Sequence, residues 1–145
     1  MPVAKKIQLQ VKTDLNALSE VLSWFNQLRQ DSMPKTDWLK CQTALAEAFT
    51  NAVRHAHKDC PQETPINLEA VLLSNSIEIR IWDYGPQFDL EYEVSILPNE
   101  VDETATGGRG LYLLKQIADK LSYTRDRDRN CLLLVKQYAP GLDMV

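Results

Sequence analysis

The sequence predicts a two-layer α/β sandwich, with helices on one face of a mixed β-sheet. Two helical stretches follow the first strand directly, and two pairs of alternating stretches have the pattern of β-hairpins. The composition, with 44% hydrophobic and 25% charged residues, is that of an ordinary globular domain. Grouped helices and hairpins favour a sandwich over a doubly wound fold, in which strands and helices alternate.

The length, the charge and the hydropathy of the chain indicate how many domains and which kinds of partner to expect. A chain of 145 residues suits one domain with a real core, so we expect a single domain over residues 1–145. The net charge of −4 gives no electrostatic reason to expect direct binding to nucleic acid. The N-terminus lacks an apolar signal run and no stretch approaches membrane-spanning length. We therefore expect a cytoplasmic protein with no membrane partner.

The cysteines give no evidence of a disulfide framework. Cys41, Cys60 and Cys131 are odd in number, widely spaced and without a C-x-x-C pair, so reduced thiols are expected. A zinc site built on His55, His57 and Cys60 is rejected, because a fourth ligand and a suitable spacing are missing.

The first strand and the first helix are predicted from a change of hydrophobic period. Apolar residues alternate with polar ones over 7–11, which is typical of a half-buried strand. Thr13 or Asp14 can cap the helix that follows to about Arg29. The apolar face of this helix consists of Leu15, Leu18, Leu22, Phe25 and Leu28.

A second, longer helix follows Pro34, with Thr36 or Asp37 as its cap. Its buried stripe is predicted to contain Trp38, Cys41, Leu45, Ala48, Phe49, Ala52 and Ala56.

Glu47, Asn51 and His55 recur every four residues on this second helix and should share one face. An Asn oxygen is a hard ligand suited to Mg²⁺, and a Glu one turn earlier could accept a proton from an attacking hydroxyl or water. From periodicity alone, a solvated helix face is the commoner explanation.

Four further strands and one helix are predicted downstream. Alternation over 66–72 and 77–81 predicts a hairpin joined through residues 74–76. Two more strands are predicted over 121–124 and 131–138, joined by a turn over 125–130. The helix before them has an apolar face formed by Leu111, Leu114, Ile117, Ala118 and Leu121.

The first hairpin ends in Asp83-Tyr84-Gly85. A carboxylate fixed at a strand end can accept a hydrogen bond from an exocyclic amine such as that of adenine, and a glycine lets the backbone approach a ring. For an isolated D-x-G sequence, an ordinary turn aspartate is the usual explanation.

An acidic segment without a sustained period runs from this hairpin to a glycine-rich helix start. A loop of this length in a compact domain is usually a functional lid or disordered, and we expect a lid at about 86–106. The glycines of Gly107-Gly108-Arg109-Gly110 open a helix, where free N–H groups favour phosphates. This glycine-rich segment lacks the Lys-Ser/Thr pair of a Walker loop. It also does not follow an early strand, as a dinucleotide-binding fingerprint should.

In this order, the E-x-x-x-N-x-x-x-H helix, the D-x-G strand end and the G-G-R-G-L helix start resemble the nucleotide-binding boxes of the GHKL ATPase superfamily. The resemblance covers nearly the whole chain and implies the Bergerat ATP-binding fold, with ATP and Mg²⁺ as cofactors. Among superfamily members, the sequence looks like the anti-sigma factor serine/threonine kinases of bacterial stress and sporulation switches.

The resemblance also implies roles by position. Asn51 would be the Mg²⁺ ligand and Glu47 the base or water-orienting residue, with His55 in a supporting role. Asp83 would bind the adenine amine, and Gly85 would flank the ring.

The phosphates would be held by Gly107, Gly108 and Gly110. Arg109 either reaches a phosphate or is a solvated loop arginine. Two departures from the family pattern stand out. Thr106 stands where related kinases often carry a basic residue, which puts handling of the γ-phosphate in doubt. Asn130-Cys131 stands where many relatives carry Gly-Thr, which puts the adenine-side hydroxyl contact in doubt.

The implied activity is transfer of the γ-phosphoryl group of Mg-ATP to a Ser or Thr of an anti-sigma factor antagonist of the STAS type. The phosphate would weaken binding of the antagonist and free the protein to sequester a sigma factor. A homodimer formed through the first strand and helix is also implied. Two alternatives stay open: a non-catalytic, ATP-dependent partner-switch module, and a regulatory ATPase in which Glu47 orients water.

Overall fold

The computed structural model describes residues 5–87 and 108–139, and side chains are described except at 108–110. Three helices and five strands make up these regions. Helix α1 is Leu18–Phe25, extended by 3₁₀ turns at Leu15–Ala17 and Asn26–Leu28. The other elements are β1 (Lys5–Lys12), α2 (Lys35–Asn51), β2 (Pro65–Leu72), β3 (Ser76–Asp83), α3 (Gly108–Ile117), β4 (Lys120–Asp126) and β5 (Arg129–Gln137).

The described strands form one sheet in the order β1-β2-β3-β5-β4. The predicted two-layer α/β sandwich is confirmed, but the prediction of a mixed sheet is wrong for these strands, since every neighbouring pair is antiparallel. The crossover through α3 makes β4 run in the same direction as β3. However, the β4–β5 hairpin inserts β5 between them, so the two strands never pair.

The helices cover one face of the sheet, and the core lies between the layers. Register places Leu9 opposite Leu68 and Ile81 opposite Leu132, and these residues point toward the helices. Under α1 and α2, the rings of Phe25 and Trp38 are stacked with centroids 4.6 Å apart.

The predicted helix faces are confirmed for α2 and only in part for α1. All members of the predicted α2 stripe are buried except Ala56, which is half-buried. In α1, Val21 and Trp24 are buried instead of Leu15, which is 37% exposed. The 3₁₀ turns explain this shift, because three residues per turn change the phase of the helix.

The caps and turns also refine the predictions. Asp14 caps the turn before α1 by accepting a hydrogen bond from the Asn16 N–H at 2.9 Å. Helix α2 instead begins directly after Pro34, without a side-chain cap. The β4–β5 turn is shorter than predicted, with only residues 127 and 128 outside the strands, and Arg127 has a φ of 60°.

The other face of the sheet is polar. Glu69 is buried there, with its carboxylate 3.2 Å from the Lys6 ammonium and 3.6 Å from the Arg80 guanidinium. Further along the same face, the Arg129 guanidinium lies 5.1 Å from the centre of the Trp82 ring. Paired charges and this cation–π contact therefore lie on the face that the described helices leave open.

Three further predictions can be compared with the described regions. All three cysteines are free thiols, and Cys41 is buried. Within residues 5–87 and 108–139, no helix is both long and apolar enough to cross a membrane. Nearly all of the expected lid, together with Thr106 and Gly107, lies outside the described residues.

Candidate functional site

Four elements meet at one end of the helix-covered face: the end of α2, the end of β3, the first turns of α3 and the β4–β5 hairpin. Among the described residues, a cavity there is lined by Ala48, Asn51, Ala52, Ile81, Asp83, Leu111, Leu114, Tyr123 and Leu132. The structure thus brings together two of the predicted site residues, Asn51 and Asp83. The cavity walls are mostly apolar with a few converging polar groups, and the cavity volume among the described residues is about 10 Å³, room for about one water molecule.

Helix α2 supplies the metal-binding candidates. Asn51 is its last residue and is half-buried, and Glu47 lies one turn earlier, also half-buried but not lining this cavity. Neither side chain makes a hydrogen bond within the described part of the chain. A single amide oxygen at a cavity fits Mg²⁺ that arrives with a nucleotide, since this ion keeps several waters and takes few protein ligands.

A single π-helical turn, Ala52–Ala56, follows α2. It is closed by an i→i+5 bond from the His57 N–H to the Ala52 carbonyl oxygen at 2.9 Å. Such turns are rare and often lie at functional sites. The wider turn moves His55 off the line of Glu47 and Asn51, and its side chain is exposed. The structure does not bring His55 to the cavity, and its supporting role stays a prediction.

Asp83 ends β3 and is only 3% exposed. Its Oδ1 accepts hydrogen bonds from the Gly85 N–H at 2.9 Å and from Asn130 Nδ2 at 2.8 Å. Its Oδ2 accepts from the Tyr123 hydroxyl at 2.7 Å. A carboxylate has about four acceptor positions, so these three donors fix its orientation and leave room for about one more donor.

Gly85 is required here because of a close backbone contact. A Cβ at this position would lie 2.3 Å from the carbonyl oxygen of Ala56, in the π turn. The backbone after β3 therefore packs directly on the chain that leaves α2. This contact explains why residue 85 is a glycine, a reason that the sequence did not indicate. The place of Gly85 beside a bound ring stays a prediction.

Asn130 is fully buried and connects the turn after β3 to the β4–β5 hairpin. Besides Asp83, its Nδ2 donates to the Gly85 carbonyl oxygen at 3.0 Å. Arg125 reinforces the link, with Nη1 donating to the same oxygen at 2.8 Å and to Asn130 Oδ1 at 3.3 Å. Strand register places Asn130 opposite Asp83 and Cys131 opposite Trp82, on the other face. Asn130 and Tyr123 therefore supply polar contacts to Asp83, and the Asn130-Cys131 departure does not leave this carboxylate without them.

Tyr123 remains a hydrogen-bond donor throughout the usual pH range. Burial raises the pKa of its phenol, and the hydrogen bond to the Asp83 carboxylate and the charge of that carboxylate raise it further. Asp83 therefore keeps this donor at neutral pH.

His57 is the buried imidazole of the site, at 1% exposure. Its Nε2 lies 2.8 Å from the Tyr84 amide nitrogen, and its Nδ1 lies 2.7 Å from Thr13 Oγ1. Burial lowers its pKa below the usual 6.5, and the negative charge of Asp83 opposes this shift. Sequence reasoning missed this role, as it missed those of Tyr123 and Arg125, because their partners lie in other elements and leave no local pattern.

Helix α3 begins at Gly108, so Gly108, Arg109 and Gly110 lie in its first turn. Leu111 and Leu114 of the same helix line the cavity with Asn51. The helix start, whose first N–H groups have no partners within the helix itself, is therefore beside the cavity, where an anion would be favoured.

Comparisons with known proteins agree with this geometry. The family model described as the histidine kinase-like ATPase domain matches residues 11–136. The chain is 39% identical over 87 residues to the serine-protein kinase RsbW of Listeria monocytogenes serotype 4a (strain HCC23), covering 55% of each protein. It is 36% identical over 88 residues to RsbW of Staphylococcus aureus (strain JH9), covering 57% of this chain and 55% of that protein. The match thus spans about half the length of these curated relatives.

Solved structures share the fold. The RsbU and RsbW domains of a Mycobacterium tuberculosis protein align with a TM-score of 0.62 at 14% identity, over 92% of this chain and 32% of that chain. The catalytic domain of histidine kinase ThkA aligns with a TM-score of 0.55 at 12% identity, over 93% and 99%. The predicted superfamily is confirmed, and the chain belongs to the histidine kinase-like ATPase domain family.

Proposed function

We propose that this protein is an ATP-dependent serine/threonine kinase that binds Mg-ATP in the cavity between α2, β3 and α3. The observation that carries the proposal is the convergence of Asn51, Asp83 and the start of α3 on one cavity. Membership of an ATPase-domain family and the similarity to proteins named serine-protein kinase add support.

In this proposal the adenine end of the site is built on Asp83. The acceptor position that Gly85, Asn130 and Tyr123 leave on the carboxylate would take the exocyclic amine of adenine. The apolar residues of the cavity, such as Ile81 and Leu132, would pack against the ring. Gly85 would flank the base, close to its contact with Ala56.

The phosphate end is built on α2 and on the start of α3. Asn51 would hold Mg²⁺, which neutralises phosphate charge when it is bound with ATP. The backbone N–H groups of Gly107, Gly108 and Gly110 would hold the phosphates, and Arg109 would lie within reach of them.

Glu47 is the proposed base, one helical turn from Asn51. During transfer, the substrate hydroxyl oxygen bonds to the γ-phosphorus as the bond from that phosphorus to the β–γ bridging oxygen breaks. Glu47 would take the hydroxyl proton, and ADP would carry away the bonding electrons. Such a step needs positioning and charge neutralisation more than covalent help from the protein.

For the partners, the resemblance to anti-sigma factor kinases supports a STAS-type antagonist as substrate and a sigma factor as the sequestered protein. We also propose a homodimer, for which β1 is available as an edge strand of the described sheet. A cytoplasmic location suits these partners.

The test is incubation of the purified protein with γ-labelled ATP and a STAS-domain protein from the same organism. Label on a Ser or Thr of the STAS protein is the expected result. Free phosphate without protein label would instead indicate the regulatory ATPase, and bound, unconsumed ATP would indicate the partner-switch module. Absence of adenine nucleotide binding would overturn the proposal as a whole.

A further inference from the structure

We propose that His57 is a positioning residue of the nucleotide site, whose neutral imidazole holds the Asp83-Tyr84-Gly85 turn against the end of α2. Adenine nucleotide binding then requires His57 to be unprotonated. The inference deepens the proposed function and rests on it, because it takes Asp83 as the residue that binds the base.

The hydrogen bonds around His57 assign its protonation state. Thr13 has one hydroxyl proton, which it donates to the Thr64 carbonyl oxygen at 2.7 Å. Thr13 must therefore accept from His57 Nδ1–H at 2.7 Å. The Tyr84 N–H donates to Nε2 at 2.8 Å, which requires Nε2 to carry no proton. A neutral ring with its proton on Nδ1 satisfies all three contacts.

His57 and its neighbours connect the turn after β3, at the adenine end of the site, to the chain that leaves α2. Asp83 and Gly85 flank Tyr84, whose amide is bound to His57. Ala56, which precedes His57, has its carbonyl oxygen 2.3 Å from where a Cβ of Gly85 would stand. One hydrogen bond and one tight backbone contact therefore fix the distance between the turn and the chain that leaves α2.

Within residues 5–87 and 108–139, the surroundings of His57 contain few charges that could stabilise an imidazolium. From β3, the Asp83 carboxylate is the one group whose charge raises the pKa of His57, and burial outweighs it. The chain after β1 contributes the neutral hydroxyl of Thr13, and the residue before β2 contributes the Thr64 carbonyl. Lys58 and Asp59 follow on the same turn, and both are exposed.

Protonation would break the link to Tyr84. A proton on Nε2 would face the Tyr84 N–H across 2.8 Å, leaving two donors and no acceptor. Because the pKa of His57 lies below 6.5 in the folded protein, the ring is neutral at and above neutral pH. The turn is therefore held at neutral pH and is released as the pH falls through this lowered pKa.

The first experiment uses the unliganded protein and needs no nucleotide. NMR of the two imidazoles over about pH 5 to 8 should show one ring with its proton on Nδ1 and a pKa below 6.5. The Tyr84 amide resonance should shift along the same titration curve. An Nε2–H tautomer, or a Tyr84 amide that ignores this titration, would overturn the proposal.

The second experiment measures affinity for a fluorescent ATP analogue with Mg²⁺ at about pH 8 and about pH 5.5. The wild-type protein should lose more affinity at low pH than His57→Gln, by at most about tenfold, because a pKa below 6.5 sets that ceiling at about pH 5.5; the Gln amide oxygen still accepts from Tyr84 but does not titrate. Thr13→Val should weaken binding at pH 8 by about fivefold, and the matched variant Thr13→Ser should restore it.

Equal pH profiles for the wild-type protein and His57→Gln would show that His57 does not control binding. If the wild-type protein bound no nucleotide at any pH, the proposed function would fail. The tautomer and the Tyr84 titration would still decide whether His57 holds the turn.

Discussion

The two ends of the candidate site differ in whether their polar side chains already have hydrogen-bond partners within the described part of the protein. At the Asp83 end, Tyr123 and Asn130 donate hydrogen bonds to the Asp83 carboxylate, and His57 accepts one from the backbone of the turn. The side chains of Asn51 and Glu47 are themselves half-buried and make no hydrogen bonds within the described residues. The first end is preorganised by the fold, whereas the second is suited to partners that arrive with the ligand.

This difference predicts that the two ends respond differently to substitution. Changes at the Asp83 end should cost folding stability, because they leave buried groups without partners. Changes at the Asn51 end should cost activity and leave stability almost unchanged.

The largest effect is expected from Asn51→Ala and Glu47→Ala on phosphoryl transfer. We expect each to lower the rate of STAS-protein phosphorylation by about 100-fold or more, since metal binding and proton transfer act in the transition state. The measurement is label transfer at saturating ATP, with urea unfolding in parallel. Unfolding free energies should stay within about 0.5 kcal/mol of the wild-type value. Full transfer activity in either variant would remove that residue from the mechanism.

Gly85→Ala should give the largest loss of stability. The added methyl group would overlap the Ala56 carbonyl oxygen, and the backbone must move, at a cost of about 3 kcal/mol. Urea unfolding measures this cost, with Tyr84→Ala as the matched control because the neighbouring Tyr84 side chain is exposed. An unchanged midpoint of urea unfolding for Gly85→Ala would mean that the Asp83-Tyr84-Gly85 turn does not pack against the π-helical turn.

Asn130→Ala should destabilise the fold by about 2 kcal/mol, because the Asp83 carboxylate and the Gly85 carbonyl each lose a buried donor. Cys131→Ala is the matched control on the same strand, since the half-buried Cys131 points to the other face of the sheet. If both variants lost the same stability, the effect would belong to β5 rather than to the contacts with Asp83.

Tyr123→Phe should have a smaller effect, about 1.5 kcal/mol in unfolding free energy, because it removes one hydrogen bond to a charged group and keeps the ring. Its pH dependence is also informative. Burial raises the pKa of Tyr123 in the folded protein, so the stability that this group contributes is complete below about pH 10 and declines above it, where the unfolded chain loses the phenol proton more readily. Unfolding of the wild-type protein and Tyr123→Phe above about pH 10 should show this decline only in the wild type, and an equal decline in both would contradict the assignment.

The smallest effect concerns His57 and the stability of the unliganded fold. Its pKa is lowered in the folded state, so the unfolded chain binds the proton more readily as the pH falls below 6.5. Stability from this group is complete above 6.5 and declines toward its lower, folded pKa. Unfolding of the wild-type protein and His57→Gln at several pH values should show this decline only in the wild type. A parallel decline in both would assign it to other groups.

Local patterns predicted much of this molecule. Alternation located the hairpin strands, the four-residue spacing placed Asn51 on a polar helix face, and the D-x-G sequence at a strand end pointed to Asp83; the fold brings Asn51 and Asp83 to one cavity. These features could be predicted because each depends on residues close together in the sequence. The sheet order could not, because strands β3 and β4 share a direction and only the placement of β5 decides whether they pair.

The roles of His57 and Asn130 depend on contacts between distant segments. His57 becomes an acceptor for Tyr84 because the π turn ends against the chain after β3. Asn130 faces Asp83 because of a strand register that places Cys131 on the opposite face. Neither the π turn nor the register leaves a periodic signal, so the residues that support Asp83 were missed while Asp83 itself was found.

The Trp82–Arg129 contact has a practical consequence for studying the site. Successive strand residues point to opposite faces, so the Trp82 indole lies outside the cavity although it is adjacent to Asp83 in the chain. Trp24 and Trp38 are buried in the core around α1. Trp82 is therefore a native fluorophore whose emission, quenched or shifted by changes in its contact with Arg129, can follow events at Asp83 without a label in the pocket.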